Sequence, residues 1–343
     1  MLEYIIRKTH SMMDHSKNLI RLLLIEETLS PALRLKINEK AEILLRDLTP
    51  FVGKFLHSDL NEKHNEDDIR TLVQCVPGSL SVEGEDYRLP LESSQWKVNM
   101  HHGDKKNCME SLPFIPVLAE EGVKHEVGGR GMRGGLLHKT YGYNTLSYLT
   151  SAVNSDKVDI DPICLEVMKR LRKKKLFKKD DIHEHDLLLL SSKAGCQKRF
   201  EYLTNWYPDA LKKPRDHEGG ILLHLCGKCV NPRTFQTVFK STLKRYPREL
   251  GLLFIKNNKG ETPYQLMKKK RGKARAWKTV KSCLRGPASK ITMHEMNPKT
   301  NLYPFLFAAA VDNSELDMVY YLLRRNPIIV ERCPAKEEMA SIV

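Results

Sequence analysis

The first motif that could do chemistry is His224-Leu-Cys226-Gly-Lys-Cys229, in which an imidazole precedes a Cys-x-x-Cys pair. Imidazole nitrogen and thiolate sulfur are preferred ligands of zinc, and a structural zinc site takes four of them. A second close pair is available in His183 and His185, but it lies in a different segment of the chain. The spacing therefore supplies only part of a ligand set, and we predict no metal site and no cofactor.

The second motif, Gly129-Arg-Gly-Met-Arg-Gly134, has the spacing of a dinucleotide-binding loop. Such a loop binds a pyrophosphate where it joins a β-strand to a helix. The preceding residues, 119–126, do not form an apolar strand pattern. We interpret the motif as part of a glycine-rich loop, near 122–140, inserted between structural units. No nucleophile–base arrangement is recognisable in the chain, and we predict that the protein is not an enzyme.

The elements around these motifs recur at a fixed period. Segments that begin at Gly219, Gly260 and Asn301 align with one another at a spacing of 41 residues. A fixed period of this length is typical of one supersecondary unit that is stacked repeatedly. The sequence therefore predicts an all-α fold, a solenoid of stacked helix-turn-helix repeats. An irregular all-α bundle with chance similarity between its segments is the alternative.

Proline marks the ends of the predicted helices. Val76, Tyr207, Tyr246 and Asn326 are each followed by proline, which cannot continue a helix and biases the residue before it away from helical angles. Turns rich in Gly, Asn and Asp follow, and a proline then suits the first turn of the next helix. Apolar residues at helical spacing predict the buried stripes of two second helices: Phe235, Val238, Phe239 and Leu243 in one, and Leu316, Val319, Leu322 and Leu323 in the other.

These residues resemble a divergent ankyrin repeat, whose pattern opens the first helix with Gly-x-Thr-Pro-Leu-His. Gly260, Thr262 and Pro263 match one copy, and Leu223 and His224 match another. The resemblance covers about residues 50–330, as about six divergent copies, none of which carries the whole signature. It implies stacked helix pairs that bind a partner through turn tips and first helices. It also implies that His224 bonds the backbone of a neighbouring turn.

A narrower resemblance connects the chain to a family of ankyrin-like proteins expanded in diatoms. The stretches 114–122, 127–136, 199–203 and 246–254 are similar to that family. Its members have no assigned activity, so this resemblance bears on the fold rather than on the function.

The two ends of the chain fall outside the repeats. In residues 1–49, Ser30-Pro31 opens a helix whose apolar residues follow at helical spacing. We interpret this segment as an N-terminal helical cap that covers the apolar end of the stack; a separate docking helix is the alternative. Residues 331–343 are a short C-terminal tail, which either ends the stack or belongs to a truncated unit.

Cysteine usage and apolar patterning indicate a cellular compartment. The eight cysteines are scattered, which favours reduced thiols. The apolar run near the start, 22–25, is far too short to span a membrane, and no signal-peptide pattern precedes it. We therefore expect a cytoplasmic or nuclear protein that does not insert into membranes.

Positive charge is concentrated in the central and later repeats. Residues 165–290 contain 32 Lys and Arg against 11 Asp and Glu, a net charge of +21, whereas the remainder carries −6. Two basic runs are prominent, 169–179 and 268–275. Such runs raise the local concentration of anionic partners, although lysine and arginine at a helix C-terminus also have a purely structural role. The second run additionally has the composition of a nuclear-import signal.

Repeat phase and charge together give a functional hypothesis. We expect a non-enzymatic scaffold or adaptor that binds an unidentified partner protein, for which an acidic surface would be complementary. The alternative is a nucleic-acid-binding protein that uses the basic face of residues 165–290 and loses affinity as salt rises. The predicted contact residues lie at two turn tips and at the end of one first helix: Asp216, Glu218, Lys256, Asn258, Lys259, Glu261, Lys268, Lys269, Lys270 and Arg271.

Overall fold

The computed structural model describes residues 56, 65–83, 89–91, 111–153, 159–229, 231–285, 296–297, 303, 306, 316–325 and 327. In these residues every regular element is a helix, and β-type pairing is limited to an isolated bridge between Thr140 and Tyr143. The predicted all-α class is therefore confirmed for this part of the chain. The predicted cap, 1–49, and the tail, 331–343, lie outside the described residues.

The chain divides into two compact units, 1–178 and 179–343. The described α-helices of the first unit are α1 (Glu66–Cys75), α2 (Ile115–Lys124), α3 (Thr145–Ser151) and α4 (Asp161–Lys173). Helix α2 packs against α1 and α4, and α3 packs against α4. Ion pairs reinforce this packing, because Glu120 of α2 bonds Arg70 of α1 at 2.9 Å and Lys174 after α4 at 2.6 Å.

The described α-helices of the second unit mostly form pairs with short connections. They are α5 (Asp181–Glu184), α6 (Leu187–Ala194), α7 (Gln197–Trp206), α8 (Leu222–Lys228), α9 (Pro232–Arg245), α10 (Pro263–Arg271), α11 (Lys273–Leu284) and α12 (Leu316–Arg325). Helix α8 packs on α10, while α9 packs on α6, α7 and α11. Each pair therefore contacts the pair that follows it.

Proline ends the helices where the sequence predicts. Helices α1, α7 and α9 each end two residues before a proline. A 3₁₀ turn that begins at this proline follows each helix: Pro77–Ser81, Pro208–Leu211 and Pro247–Leu252. A leucine in each turn, Leu80, Leu211 or Leu250, is at most 3% exposed. The turn therefore ends the helix and also contributes to the core.

The apolar stripe of α9 is confirmed, since Phe235, Val238 and Phe239 are all fully buried and Leu243 is 1% exposed. The stripe predicted for α12 is partly wrong. Leu316 is 71% exposed, and Met318 and Leu322 are the buried residues of that helix. Met318 and Leu322 are one turn apart, so they share a helix face that Leu316 does not occupy.

The glycine-rich segment forms consecutive turns that are anchored at both ends. Val127 is 3% exposed and Leu136 is fully buried. Gly134, at φ 69°, lies so close to α2 that a Cβ atom there would be 2.1 Å from the Ala119 carbonyl oxygen. The element before the motif is a helix rather than a strand, so the context that a dinucleotide-binding loop requires does not occur here.

Candidate functional site

Six of the predicted contact residues lie in two turns of the second unit or directly beside them. We call residues 216–219 the first tip and residues 257–260 the second tip; they precede α8 and α10. The Asp216 carboxylate accepts a hydrogen bond from the Gly220 amide at 2.7 Å, and the Asn257 side chain accepts one from the Glu261 amide at 2.9 Å. Residues 41 positions apart thus make the same local bond.

Glycine makes each tip possible. Gly219 has φ 69° and Gly260 has φ 73°, a region in which residues with a Cβ atom are strained. In each turn the glycine amide donates to the carbonyl oxygen of the residue three positions earlier, at 3.0 Å and 2.9 Å. The turn chemistry predicted from Gly, Asn and Asp is therefore confirmed in both tips.

The tips also contact each other. The Asn258 amide donates to the Glu218 carbonyl oxygen at 2.7 Å. The Glu218 carboxylate pairs with Lys228 at 3.1 Å and with Lys259. Hydrogen bonds from Lys259 and Lys228 lower the pKa of Glu218 to about 2, and the same contact raises the pKa of Lys259. Much of the charge predicted to meet a partner is therefore neutralised within the chain.

At the end of α10, residues 268–271, charged side chains are likewise bonded to other groups of the chain. Lys269 pairs with Glu261, which lowers the pKa of that carboxyl group. Arg271 donates to the Cys229 carbonyl oxygen at 3.0 Å and so caps the C-terminus of the α8 segment. Lys256 and Lys270 are exposed and have no ion-pair partner among the described residues. These two lysines remain available to an external partner.

His224 ties α8 to the second tip. The ring is fully buried, its Nδ1 accepts a hydrogen bond from the Ile221 amide at 3.2 Å, and its Nε2 lies 3.1 Å from the Glu261 carbonyl oxygen. Since Nδ1 is an acceptor, Nε2 carries the ring proton and donates a hydrogen bond to the Glu261 carbonyl oxygen. Burial lowers the pKa of His224, which keeps the ring neutral.

These bonds account for the zinc-like motif. Both nitrogens of His224 are engaged with backbone groups, so the ring has no lone pair to give a metal. Burial raises the pKa of Cys226, which favours its thiol over the thiolate that zinc binds. Cys229 donates to the Leu225 carbonyl oxygen at 3.3 Å. The motif is thus part of the helix packing.

Another group of residues has side chains of the ligand type. One ligand atom each of Asp181, Glu184 and His185 lies within 4.8 Å of the others. The carboxylates and the imidazole belong to or adjoin the four-residue helix α5. Among the described residues this is a group whose side chains could hold a metal ion. The sequence pointed to His185, in the pair with His183, but not to Asp181 or Glu184.

A groove that sequence reasoning missed opens between α6, α7 and α9. Its volume is about 650 Å³, and we call it the α7–α9 groove. Five cationic side chains and one carboxylate line it: Lys193, Arg233, Lys240, Lys244, Arg245 and Glu201. Arg245 donates to the Asn205 side chain, whereas Lys193, Arg233, Lys240 and Lys244 have no ion-pair partner among the described residues.

The 41-residue period could not reveal this groove, because its cations come from two helix pairs and converge only through packing. The signal that the sequence does contain is the positive charge of α9, the helix that holds four of the five cations.

No family model, curated protein or solved structure matches this chain. No helix among the described residues combines the length and the apolar character that crossing a bilayer requires.

Proposed function

We propose that the second unit is a stack of divergent ankyrin-like repeats and that the protein is a non-enzymatic scaffold that binds another protein. The observation that carries this proposal is the bonding of one tip and its helix to the next. Residues 41 positions apart make equivalent bonds within each tip, and His224 and Asn258 connect the two copies.

The start of each first helix supports the same proposal. The Thr262 amide donates to the Gln265 side chain at 2.9 Å, and the Ile221 amide donates to His224 in the equivalent position. Both are N-terminal caps in which the third helical residue reaches back to the backbone. A repeated cap, a repeated tip and a bond between copies are what a stacked repeat requires.

The proposed binding surface consists of the tips and the exposed sides of α8 and α10. Repeat stacks present such a row of turns as a continuous surface, on which a partner contacts several copies at once. Because Lys256 and Lys270 are the exposed cations of this surface without an internal ion pair, a partner with acidic residues would be complementary to it.

The experiment compares three proteins that differ in where charge is reversed. The tip variant is K256E/K270E, and the control is K198E/K278E, which reverses two exposed lysines that also lack ion-pair partners among the described residues. Both variants have the same change in net charge. Affinity capture from cell lysate is performed with nuclease treatment, and captured proteins are identified.

A defined protein that survives nuclease, is captured by the control and is lost from the tip variant would support the scaffold. Equal capture by all three proteins would place the partner elsewhere. Capture that disappears with nuclease would favour the nucleic-acid-binding alternative and overturn the proposal.

A further inference from the structure

We propose that the α7–α9 groove is a second binding site and that it takes an acidic segment of a partner protein. This inference is independent of the proposed function, because the groove and the tips share no residue. It concerns α7, α9 and the C-terminal end of α6, whereas the proposed scaffold surface concerns the tips and the exposed sides of α8 and α10.

The first argument is that several cations without an ion-pair partner among the described residues converge on one cavity: Lys193, Arg233, Lys240 and Lys244. Other lysines of the unit that lack such a partner, such as Lys198 and Lys278, do not line the groove, and further cations bond carboxylates, as in Lys212–Glu249 at 2.7 Å and Arg215–Asp186 at 2.5 Å. Inside the groove the carboxylate is Glu201, whose side chain accepts a hydrogen bond from Gln197 at 2.6 Å. The positive charge of the groove is therefore left for a ligand.

The second argument concerns the placement of the cations on α9. Arg233, Lys240 and Lys244 are seven and four residues apart, which puts them on one face of the helix over about 16 Å. Like charges four residues apart on a helix are mildly destabilising. Arg233 lies in the first turn of α9, where a cation opposes the helix dipole. Lys244 lies in the last turn of α9, where a cation is favourable to the helix dipole. Helix stability therefore explains Lys244 but not Arg233 or Lys240, whereas an extended anionic ligand accounts for all three.

The third argument separates a peptide from a nucleic acid. The groove is also lined by hydroxyl and amide side chains, which both donate and accept hydrogen bonds, and a peptide backbone offers both. The phosphodiester backbone of a nucleic acid offers acceptors only. Glu201 repels phosphate and peptide carboxylate alike, so it does not discriminate between the two ligands. The aromatic residue of the lining, Phe200, is 1% exposed, so it offers no ring face on which a base could stack. An acidic peptide fits these features better than a single strand of RNA or DNA.

The test measures fluorescence anisotropy of a labelled eight-residue peptide that alternates glutamate and alanine, added to the full chain at low salt. A glutamine–alanine peptide and an oligouridylate of equal net charge are the comparison probes. The groove variant is K240E/K244E, and its controls are K198E/K278E and the tip variant K256E/K270E, all with the same change in net charge. Thermal unfolding followed by circular dichroism verifies that each variant folds.

We expect the acidic peptide to bind the wild type and to lose about tenfold or more in affinity with the groove variant. Both controls should stay within about twofold of the wild type, and E201Q should bind more tightly because a repulsive charge is removed. Equal losses in the three double variants would mean attraction by net charge alone and would overturn the proposal. Tighter, competitive binding of the oligouridylate at the groove would also overturn it, in favour of a nucleic-acid site.

Tip and groove variants keep the two proposals apart. Loss of partner capture only in K256E/K270E concerns the scaffold surface, and loss of peptide binding only in K240E/K244E concerns the groove.

Discussion

Replacing His224 by alanine should destabilise the second unit strongly, because both ring nitrogens of this buried side chain are bonded. The buried Ile221 amide would lose its acceptor, which costs about 1–3 kcal/mol, and the loss of the bond to Glu261 adds about 1 kcal/mol. We expect the free energy of unfolding to fall by about 2–4 kcal/mol.

The same ring should give stability a pH dependence. Burial lowers the pKa of His224 in the folded state below the ordinary value of about 6.5. The unfolded chain therefore binds more protons below about pH 6.5, and stability should decline as the pH falls through that value towards the folded pKa. His224→Ala should lack this part of the decline.

The assay is urea unfolding followed by circular dichroism and tryptophan fluorescence at pH 7.5 and 5.5. The matched control is His217→Ala, which removes a histidine whose side chain is 92% exposed. His224→Gln is a second test, because Gln265 bonds the equivalent amide in the next copy. We expect it to recover part of the stability without the pH dependence. A loss below about 0.5 kcal/mol for His224→Ala, or an unchanged pH slope, would refute this account of the ring.

Three further outcomes are expected. The pKa of Glu218 is lowered to about 2 in the folded state, so its ion pairs should stabilise the tips above about pH 4.5 and be lost as the pH falls towards 2. E218Q should flatten that part of a plot of the thermal-unfolding midpoint against pH. An unaltered plot would contradict the pairing. Gly134→Ala should lower the free energy of unfolding by more than about 2 kcal/mol, because its Cβ would collide with the backbone of α2, whereas Gly260→Ala should cost only about 1 kcal/mol, because its Cβ would meet nothing within 4 Å. Similar losses for the two variants in chemical denaturation would count against the close approach of Gly134 to α2. R70M removes the arginine partner of the buried Glu121 carboxylate, which keeps its ion pair with Lys124 at 2.8 Å. The loss should therefore be about 1–3 kcal/mol in the first unit, below the cost of an unpaired buried charge, and the same denaturation measurement can check it against Lys198→Met.

Local chemistry made much of the secondary structure predictable. A proline ends a helix whatever surrounds it, and the ends of α1, α7 and α9 follow from Pro77, Pro208 and Pro247. The two tips are also predictable from local chemistry, because Gly219 and Gly260 adopt the positive φ that these turns require. In α12, by contrast, two overlapping stripes both fit helical spacing. Packing decided between them, and packing cannot be read from one segment alone.

The candidate sites depended on contacts between distant residues, which the sequence did not reveal. Glu218 and Lys259 are 41 residues apart, and their pairing exists only because one tip stacks on the next. The ten predicted residues therefore lie in the predicted turns and helix end or beside them, but four of their charged side chains already form ion pairs with one another, Glu218 with Lys259 and Glu261 with Lys269. The α7–α9 groove shows the converse, because Lys193 and Arg233 belong to different helix pairs and line one cavity in the fold.

The anchored turns after α2 have a practical consequence for anyone who needs to label this protein. Gly129 and Gly131 have open space where a side chain would begin, whereas Val127 and Leu136 hold the two ends of the segment in the core. An exposed loop tip with fixed ends tolerates inserted residues well. An affinity epitope or a fluorophore-accepting peptide placed between Gly129 and Gly131 would report on the intact chain from the first unit. Both the tips and the α7–α9 groove would then keep their native sequence.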